Sequence, residues 1–163
     1  MKKYIIIGII IGIGGIGMVL PKLLKKKVGI TSIQKFRYFY TKGYCMNAEV
    51  IYTLECNKNC EIEIKPYLEP IENTKKIIVE KDFVEKLESI LKKYKVGSWN
   101  DFHKANKYVL DGDSFSINIT FQDQTTLSAS GYMEWPKNYG DVKKEIEDLF
   151  AEQLSSKEKE RNR

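Results

Sequence analysis

Apolar and polar side chains alternate along three stretches between residues 36 and 65, which is the pattern of strands with one buried and one wet face. The alternating apolar positions are Phe36, Tyr38 and Tyr40, then Ala48, Val50, Tyr52, Leu54 and Cys56, then Ile62 and Ile64. Pro66 ends the third stretch, because proline has no N–H for a ladder hydrogen bond. The stretches predict an antiparallel meander of three strands, with the short apolar piece at 77–79 as an optional edge strand.

The pattern changes to a helical period after residue 80. Apolar residues recur at the spacing of one helix face: Phe83, Leu87, Ile90, Leu91 and Tyr94. Asp82 and Glu85 have the spacing of a capping box, and Gly97 is expected to end the helix. We therefore expect a first helix that packs on the sheet.

Two more strands and a second helix follow. Alternation returns over 115–121 and 127–131. Asn138 is a favourable N-cap residue, and the apolar stripe behind it consists of Val142, Ile146, Leu149, Phe150 and Leu154. The order βββ(β)αββα predicts an α+β domain over residues 36–154, with two helices packed on an antiparallel sheet. The tail, residues 155–163, has no apolar side chain and is expected to be disordered.

The N-terminal segment predicts a transmembrane helix that anchors the chain. Residues 4–20 carry no charged side chain, and as a helix they span roughly 25 Å, close to the ~30 Å of a bilayer core. Lysines flank this segment on both sides: Lys2, Lys3, Lys22, Lys25, Lys26 and Lys27. No small-x-small cleavage site and no lipidation cysteine follow, so we expect an uncleaved, single-pass signal anchor over residues 1–27. Residues 28–35 are then a short polar connector.

The stretch GIGGIG at residues 12–17 has the G-x-G-x-x-G spacing of a dinucleotide-binding turn, but its context is wrong. No Asp or Glu occurs before Glu49, and Pro21 breaks the helix that should follow the turn. We therefore expect no cofactor. Gly8 and Gly12 match the G-x-x-x-G packing motif, which indicates either a helix-mediated homodimer or only the composition of an apolar helix.

The net charge of +5 comes from the anchor and not from the domain. Six of the 27 lysines and arginines lie in residues 1–27, where there is no acidic residue. The rest of the chain carries 21 basic and 22 acidic side chains, so we expect no basic face and no nucleic-acid partner. The flanking lysines are balanced across the anchor and do not set its orientation.

The chain has three cysteines, Cys45, Cys56 and Cys60. Cys56 and Cys60 flank a short hairpin loop, which can bring their Cα atoms within the roughly 4.4–6.8 Å that a disulfide requires. A disulfide would indicate an extracytoplasmic domain, and free buried thiols are the alternative. A metal site is not expected, because His103 is the single histidine and there is no second Cys or His pair.

Aromatic and acidic side chains concentrate in two loops, residues 98–115 and 131–139. Rings offer flat apolar faces and carboxylates accept hydrogen bonds, so this combination suits a sugar or peptide ligand. The alternative is that the aromatic residues close one end of the core. The candidate binding residues are Trp99, Asp101, Phe102, His103, Asp111, Asp113, Tyr132, Trp135 and Tyr139.

Several stretches of the domain resemble a group of small, functionally uncharacterised proteins of Gram-positive bacteria, which are membrane-tethered proteins or lipoproteins. The matching stretches are Gly43–Ala48, Trp99–Phe102, Val109–Phe115, Ser128–Tyr132 and Trp135–Tyr139. The resemblance covers most of residues 36–152. It implies an extracytoplasmic domain held at the cell membrane, and it implies no activity and no catalytic residues. This chain differs from the lipoproteins of the group in lacking a lipidation cysteine.

These patterns favour a membrane-anchored domain that binds a ligand or a protein partner at the envelope surface, without catalysis. One alternative is an envelope hydrolase that uses loop carboxylates such as Asp101, Asp111 or Glu134, with His103 as a base. The other is a cytoplasm-facing regulatory or assembly module. A pair of opposed carboxylates in a cleft would favour the hydrolase, and accessible reduced cysteines inside the cell would favour the cytoplasmic module.

Overall fold

The computed structural model describes residues 27–43 and 48–161, which form an α+β fold. The strands are β1 (Ile33–Thr41), β2 (Glu49–Cys56), β3 (Cys60–Lys65), β4 (Lys75–Val79), β5 (Phe102–Ala105), β6 (Ser114–Phe121) and β7 (Thr126–Tyr132). The α-helices are α1 (Lys81–Lys93) and α2 (Tyr139–Arg161). Short 3-10 helices lie at Ile71–Asn73 and Val96–Trp99. The predicted strands and both predicted helices are therefore present, including the optional edge strand β4.

The strands form one mixed sheet in the order β4-β3-β2-β1-β6-β7-β5. Strand β1 lies at its centre, with Tyr38 opposite Tyr52 of β2 and Ile117 of β6. All pairs are antiparallel except β5 and β7, which are parallel. The prediction of a purely antiparallel sheet is therefore wrong at one edge. The reason is that β5 has four residues, of which only Phe102 is buried. It therefore lacks the alternation of apolar and polar residues from which a strand can be predicted.

Both helices cover the same face of the sheet. The ring of Phe150 on α2 lies 4.5 Å from that of Tyr52 and 5.1 Å from that of Phe83 on α1, so one side chain joins both helices to the sheet. The helices run in opposite directions, because Phe83 near the start of α1 meets Phe150 while Lys93 at its end pairs with Glu145. The opposite face carries exposed polar residues, and burial of the apolar face supplies the main stabilising free energy.

The ends of α1 differ from the prediction. The N-cap residue is Glu80 and its side chain makes no capping hydrogen bond, so the capping box at Asp82 is wrong. The helix starts directly after β4, before Asp82 can act as a cap. It ends at Lys93, four residues before the predicted end at Gly97, and Lys95 adopts the left-handed conformation (φ 56°). Gly97 instead lies against the backbone of Val28, where a Cβ would be 1.9 Å from the Val28 carbonyl oxygen.

The segments on either side of the domain are more ordered than predicted. Residues 28–32 dock on the domain, because the Val28 N–H donates to the Gly97 carbonyl (3.0 Å) and β1 already begins at Ile33. Helix α2 continues to Arg161, whereas the sequence predicts a disordered tail from residue 155. The tail contains Lys, Glu and Arg, which are good helix formers and extend a helix that packing has already nucleated.

Within the described residues, no helix is long and apolar enough to cross a membrane. Residues 1–26 of the predicted anchor (residues 1–27), which include its G-x-x-x-G motif, lie outside the part of the chain that the structure describes. Cys45 also lies outside it.

Candidate functional site

The predicted aromatic candidates are mainly part of the core. Trp99 is 3% exposed and its Nε1–H donates to the Lys137 carbonyl (3.2 Å), and Tyr139 is 7% exposed. Phe115 lies at the centre of this cluster, with its ring 4.5 Å from that of Tyr139 and 6.4 Å from that of Trp99. Phe102 is buried beside it at the sheet edge. The interpretation that these residues close one end of the core holds for Trp99, Phe102 and Tyr139.

Asp101 and Asp113, two of the polar candidates, are held at separate positions beside β7 and the segment after it. The Asp101 N–H donates to the Ser128 carbonyl, whereas the Asp113 carbonyl accepts from the Met133 N–H. Ser128 lies within β7, whereas Met133 lies just beyond its last residue, so the two aspartates contact the chain five residues apart. These two binding candidates are therefore held by different backbone contacts.

Each polar candidate has a structural partner or an exposed position. The Asp113 carboxylate accepts a hydrogen bond from the Tyr40 hydroxyl (2.6 Å), and the Asn100 amide donates to Asp101 (2.9 Å). His103 is exposed on the open face of the sheet, where its Nδ1 lies 2.8 Å from the Ser130 hydroxyl. Asp111 is exposed beside Gly43, and Tyr132 is half-buried at the end of β7. The His103–Ser130 contact has the distance of a nucleophile–base pair, but among the described residues no third side chain is hydrogen-bonded to His103 to orient its ring.

The exposed apolar residues of the two loops lie on adjacent segments. Tyr108 and Leu110 are each 85% exposed, and Met133 and Trp135 are each 37% exposed. Two backbone hydrogen bonds join the segments, from Asn106 N–H to the Tyr132 carbonyl (2.9 Å) and from Met133 N–H to the Asp113 carbonyl (2.9 Å). We call these four residues the loop surface. Of them only Trp135 was a sequence candidate, because a Tyr or Leu among Asn, Lys and Gly is not distinguishable from a core residue by pattern.

Cys56 and Cys60 are the closing pair of the β2–β3 hairpin. They lie opposite each other in the register, their Cα atoms are 4.1 Å apart, and their sulfurs are joined in a disulfide. The bond therefore fastens the end of the hairpin remote from Pro66. As for metal binding, the described residues contain no group of three or more His, Cys, Asp or Glu side chains that could hold an ion.

A pocket of ≈ 500 Å³ lies between α2 and the ends of β1, β2 and β3. Its lining residues are Tyr40, Lys42, Val50, Tyr52, Ile64, Pro66, Tyr67, Lys143, Glu147, Ala151 and Leu154. The α2 members recur every three or four residues, so they form one stripe of the helix. No local pattern could reveal this pocket, because its two walls are about a hundred residues apart in the chain.

Burial raises the pKa of the tyrosine hydroxyls around the pocket. The pKa of Tyr38 and the pKa of Tyr52 lie well above the ordinary value of 10.0, mainly because burial disfavours the charged phenolate. The neighbouring Tyr139 hydroxyl raises the pKa of Tyr38 further, and the Glu147 carboxylate raises the pKa of both tyrosines. The Tyr38 and Tyr139 hydroxyls lie 2.8 Å apart and share one hydrogen bond. Burial raises the pKa of Tyr40 as well, and the Asp113 carboxylate raises it further. These hydroxyls are therefore neutral donors at physiological pH.

Comparison of the sequence with protein-family models and with curated proteins finds no match.

Proposed function

We propose that this protein is a single-pass, membrane-anchored domain that binds a protein partner at the extracytoplasmic surface of the cell, without catalysis. The observation that carries the proposal is the loop surface, where two adjacent segments expose Tyr108, Leu110, Met133 and Trp135 to solvent. Exposed apolar side chains on neighbouring segments are typical of protein interaction sites.

The chemistry of the loop surface suits a partner with an apolar patch. Aromatic residues and Met are enriched at protein interfaces, because a ring or a thioether buries a large apolar area at a small cost in side-chain entropy. The Lys107 ammonium lies 5.1 Å from the centre of the Tyr108 ring, which places a positive charge beside the loop surface, at its rim. Acidic groups beside the partner's apolar patch would complement this rim.

Two features support the anchor and the side of the membrane. The uncharged segment of residues 4–20, flanked by lysines, has the length and composition of a signal anchor. The Cys56–Cys60 disulfide of the hairpin is stable in oxidising compartments and rare in the cytosol. The segment supports the anchor, and the disulfide supports the extracytoplasmic side of the membrane.

The side of the membrane is tested by labelling a cysteine placed at Gln122, an exposed loop position, in a full-length chain that also carries Cys45→Ser. Spheroplasts of an expressing host are treated with a membrane-impermeant maleimide before and after lysis. We expect labelling at position 122 before lysis, and labelling of Cys56 and Cys60 only after reduction. Labelling at position 122 only after lysis would place the domain in the cytoplasm and overturn the proposal.

The loop surface is tested by site-specific photo-crosslinking in the full-length chain. A benzophenone side chain replaces Leu110 or Tyr108, and the matched control carries it at Gln122, which is also exposed but lies at the opposite end of β6. We expect one discrete cross-linked protein from positions 108 and 110, and loss of that product when Trp135→Ser is added. Equal products from the control position, or no product from either loop position, would refute binding at the loop surface.

A further inference from the structure

The pocket under α2 contains a hydroxyl group to which no described residue is hydrogen-bonded. Tyr52 is 8% exposed, and its ring is held between Phe150 and Tyr38 at 4.5 and 6.2 Å. Its hydroxyl makes no hydrogen bond with the described residues. Every buried side-chain N or O atom among these residues has a partner, so the hydroxyl must reach solvent. Since Tyr52 lines the pocket, the pocket is the opening that its hydroxyl reaches.

The pocket also carries a positive charge that no acidic group of the described residues balances. The Lys143 ammonium pairs with the Glu147 carboxylate at 2.6 Å and lies 4.5 Å from the centre of the Tyr40 ring. Lys42 is exposed at the rim and makes no ion pair with a described residue. The three charged side chains that line the pocket therefore leave one net positive charge.

Apart from Tyr67, whose ring carries a hydroxyl, the rest of the wall is apolar. Val50, Ile64 and Pro66 line the sheet side, and Ala151 and Leu154 line the helix side. Ala151 is exposed although it faces the sheet, because its methyl group is too short to fill the gap. A volume of ≈ 500 Å³ falls within the roughly 300–1,000 Å³ of small-molecule sites.

We propose that this pocket binds a small monocarboxylate with an apolar body. The carboxylate would accept a hydrogen bond from the Tyr52 hydroxyl and pair with the Lys42 ammonium, while the apolar body would lie against Val50, Ile64 and Leu154. The single negative charge matches the one unbalanced positive charge, whereas a dianionic phosphate would meet the Glu147 carboxylate with an excess of negative charge. The site is separate from the loop surface and does not depend on the proposed function.

The test is calorimetric titration of the full-length chain in lipid nanodiscs, with empty nanodiscs as the blank. The probes are 4-phenylbutyrate, its neutral amide 4-phenylbutyramide, and decanoate. We expect saturable binding of a carboxylate and roughly tenfold weaker binding of the amide, because the amide cannot pair with Lys42 and accepts a weaker hydrogen bond. Preference between phenylbutyrate and decanoate distinguishes an aromatic from an acyl body.

Three variants locate the binding. Tyr52→Phe removes only the hydroxyl and should weaken binding roughly tenfold, since a hydrogen bond to a charged group is lost. Lys42→Glu should abolish it, and the matched control Lys58→Glu makes the same charge change in the β2–β3 turn, at the remote end of the hairpin. Ala151→Trp should fill the pocket, while Ser156→Trp places the same ring on the exposed part of α2.

The outcomes are decisive if each variant keeps the thermal midpoint of the parent chain. Equal affinity for the acid and its amide, unchanged affinity in Lys42→Glu, or binding that survives Ala151→Trp would each overturn the proposal. A double variant of the loop surface, Tyr108→Ser with Leu110→Ser, should still bind the carboxylate. This result separates the pocket from the proposed partner-binding role, so that either can fail alone.

Discussion

Gly131 on β7 shows how a single residue allows two segments to meet. A Cβ at this position would lie 1.9 Å from the Glu134 carbonyl oxygen and 2.6 Å from the Phe115 ring. Neither neighbour can move easily, because one is backbone and the other is part of the buried aromatic cluster. The hydrogen of glycine therefore lets the segment after β7 fold back over the sheet and bring Trp135 to Phe115 (5.6 Å between rings).

We expect Gly131→Ala to destabilise the domain by about 2–3 kcal/mol, the cost of overpacking a core. The matched control is Gly140→Ala in the first turn of α2, where a Cβ meets nothing within 4 Å. That change should be neutral or stabilise by ~0.5 kcal/mol through helix propensity. Urea unfolding of the two variants measures the difference, and similar stabilities would show that the backbone at 131 relaxes without cost.

The buried tyrosines predict the behaviour of the protein in alkali. The folded state raises the pKa of Tyr52 above its unfolded value of about 10, so its contribution to stability is complete below pH 10 and is lost as the pH rises through the folded pKa. We expect the free energy of unfolding to fall above pH 10. Tyr52→Phe should reduce that slope by up to about 1.4 kcal/mol per pH unit.

Tyr108→Phe, which removes an exposed hydroxyl, is the control for this measurement. The free energy of unfolding is measured in urea at intervals between pH 9 and pH 12. An identical slope in the parent chain and in Tyr52→Phe would mean that the Tyr52 hydroxyl ionises as readily in the folded chain as in the unfolded one.

At the scale of single elements, the β2–β3 hairpin is closed by the Cys56–Cys60 disulfide. Its disulfide joins residues only four positions apart, so it removes little conformational entropy from the unfolded chain, and the stabilisation expected from loop closure is about 2 kcal/mol. We expect a reductant to lower the free energy of unfolding by that amount. The double variant Cys56→Ser with Cys60→Ser should have the lower value and no response to reductant. A response that persists in this variant would trace the effect to Cys45 instead.

At the scale of the whole molecule, residues 28–32, which precede β1, pack on the domain. Val28 and Ile30 pack against the core, and the Ser32 carbonyl accepts a hydrogen bond from the Gln122 N–H (2.9 Å). The polar connector expected from the sequence is therefore a structural part of the domain. If residues 1–26 anchor the chain, as we propose, the domain begins within a few residues of the membrane surface.

We expect a chain shortened to residues 27–161 to fold, because its first contact is that of Val28. A chain that begins at Ile33 should be less stable by about 2–3 kcal/mol, since it loses two partly buried apolar side chains and two backbone hydrogen bonds. Denaturant unfolding of both chains tests this, and equal stabilities would show that the connector is only a tether.

The strands with a clear local alternation of apolar and polar residues are predicted correctly, and the strand that depends on contact with a distant segment is not. The strands β1, β2 and β6 were predictable because each places apolar residues on one face through its own alternation. The short strand β5 was not, since it is held by pairing with β7, and that pairing appears only when the sheet is assembled. Likewise, residue type does not distinguish the buried Trp99 from the exposed Tyr108, because burial depends on which segment covers the ring.

The sequence by itself determined the element types, most of their order, the face each element buries, and the expectation of an N-terminal anchor. These properties follow from periodicity and composition within a few neighbouring residues, where backbone geometry dictates which side chains share a face. Only the tertiary structure decided the mixed strand order, the separation of Asp101 from Asp113, the loop surface, and the pocket with Tyr52 and Lys42. Each of these depends on how residues far apart in the chain pack together, and packing is set by shape and volume that no local pattern records.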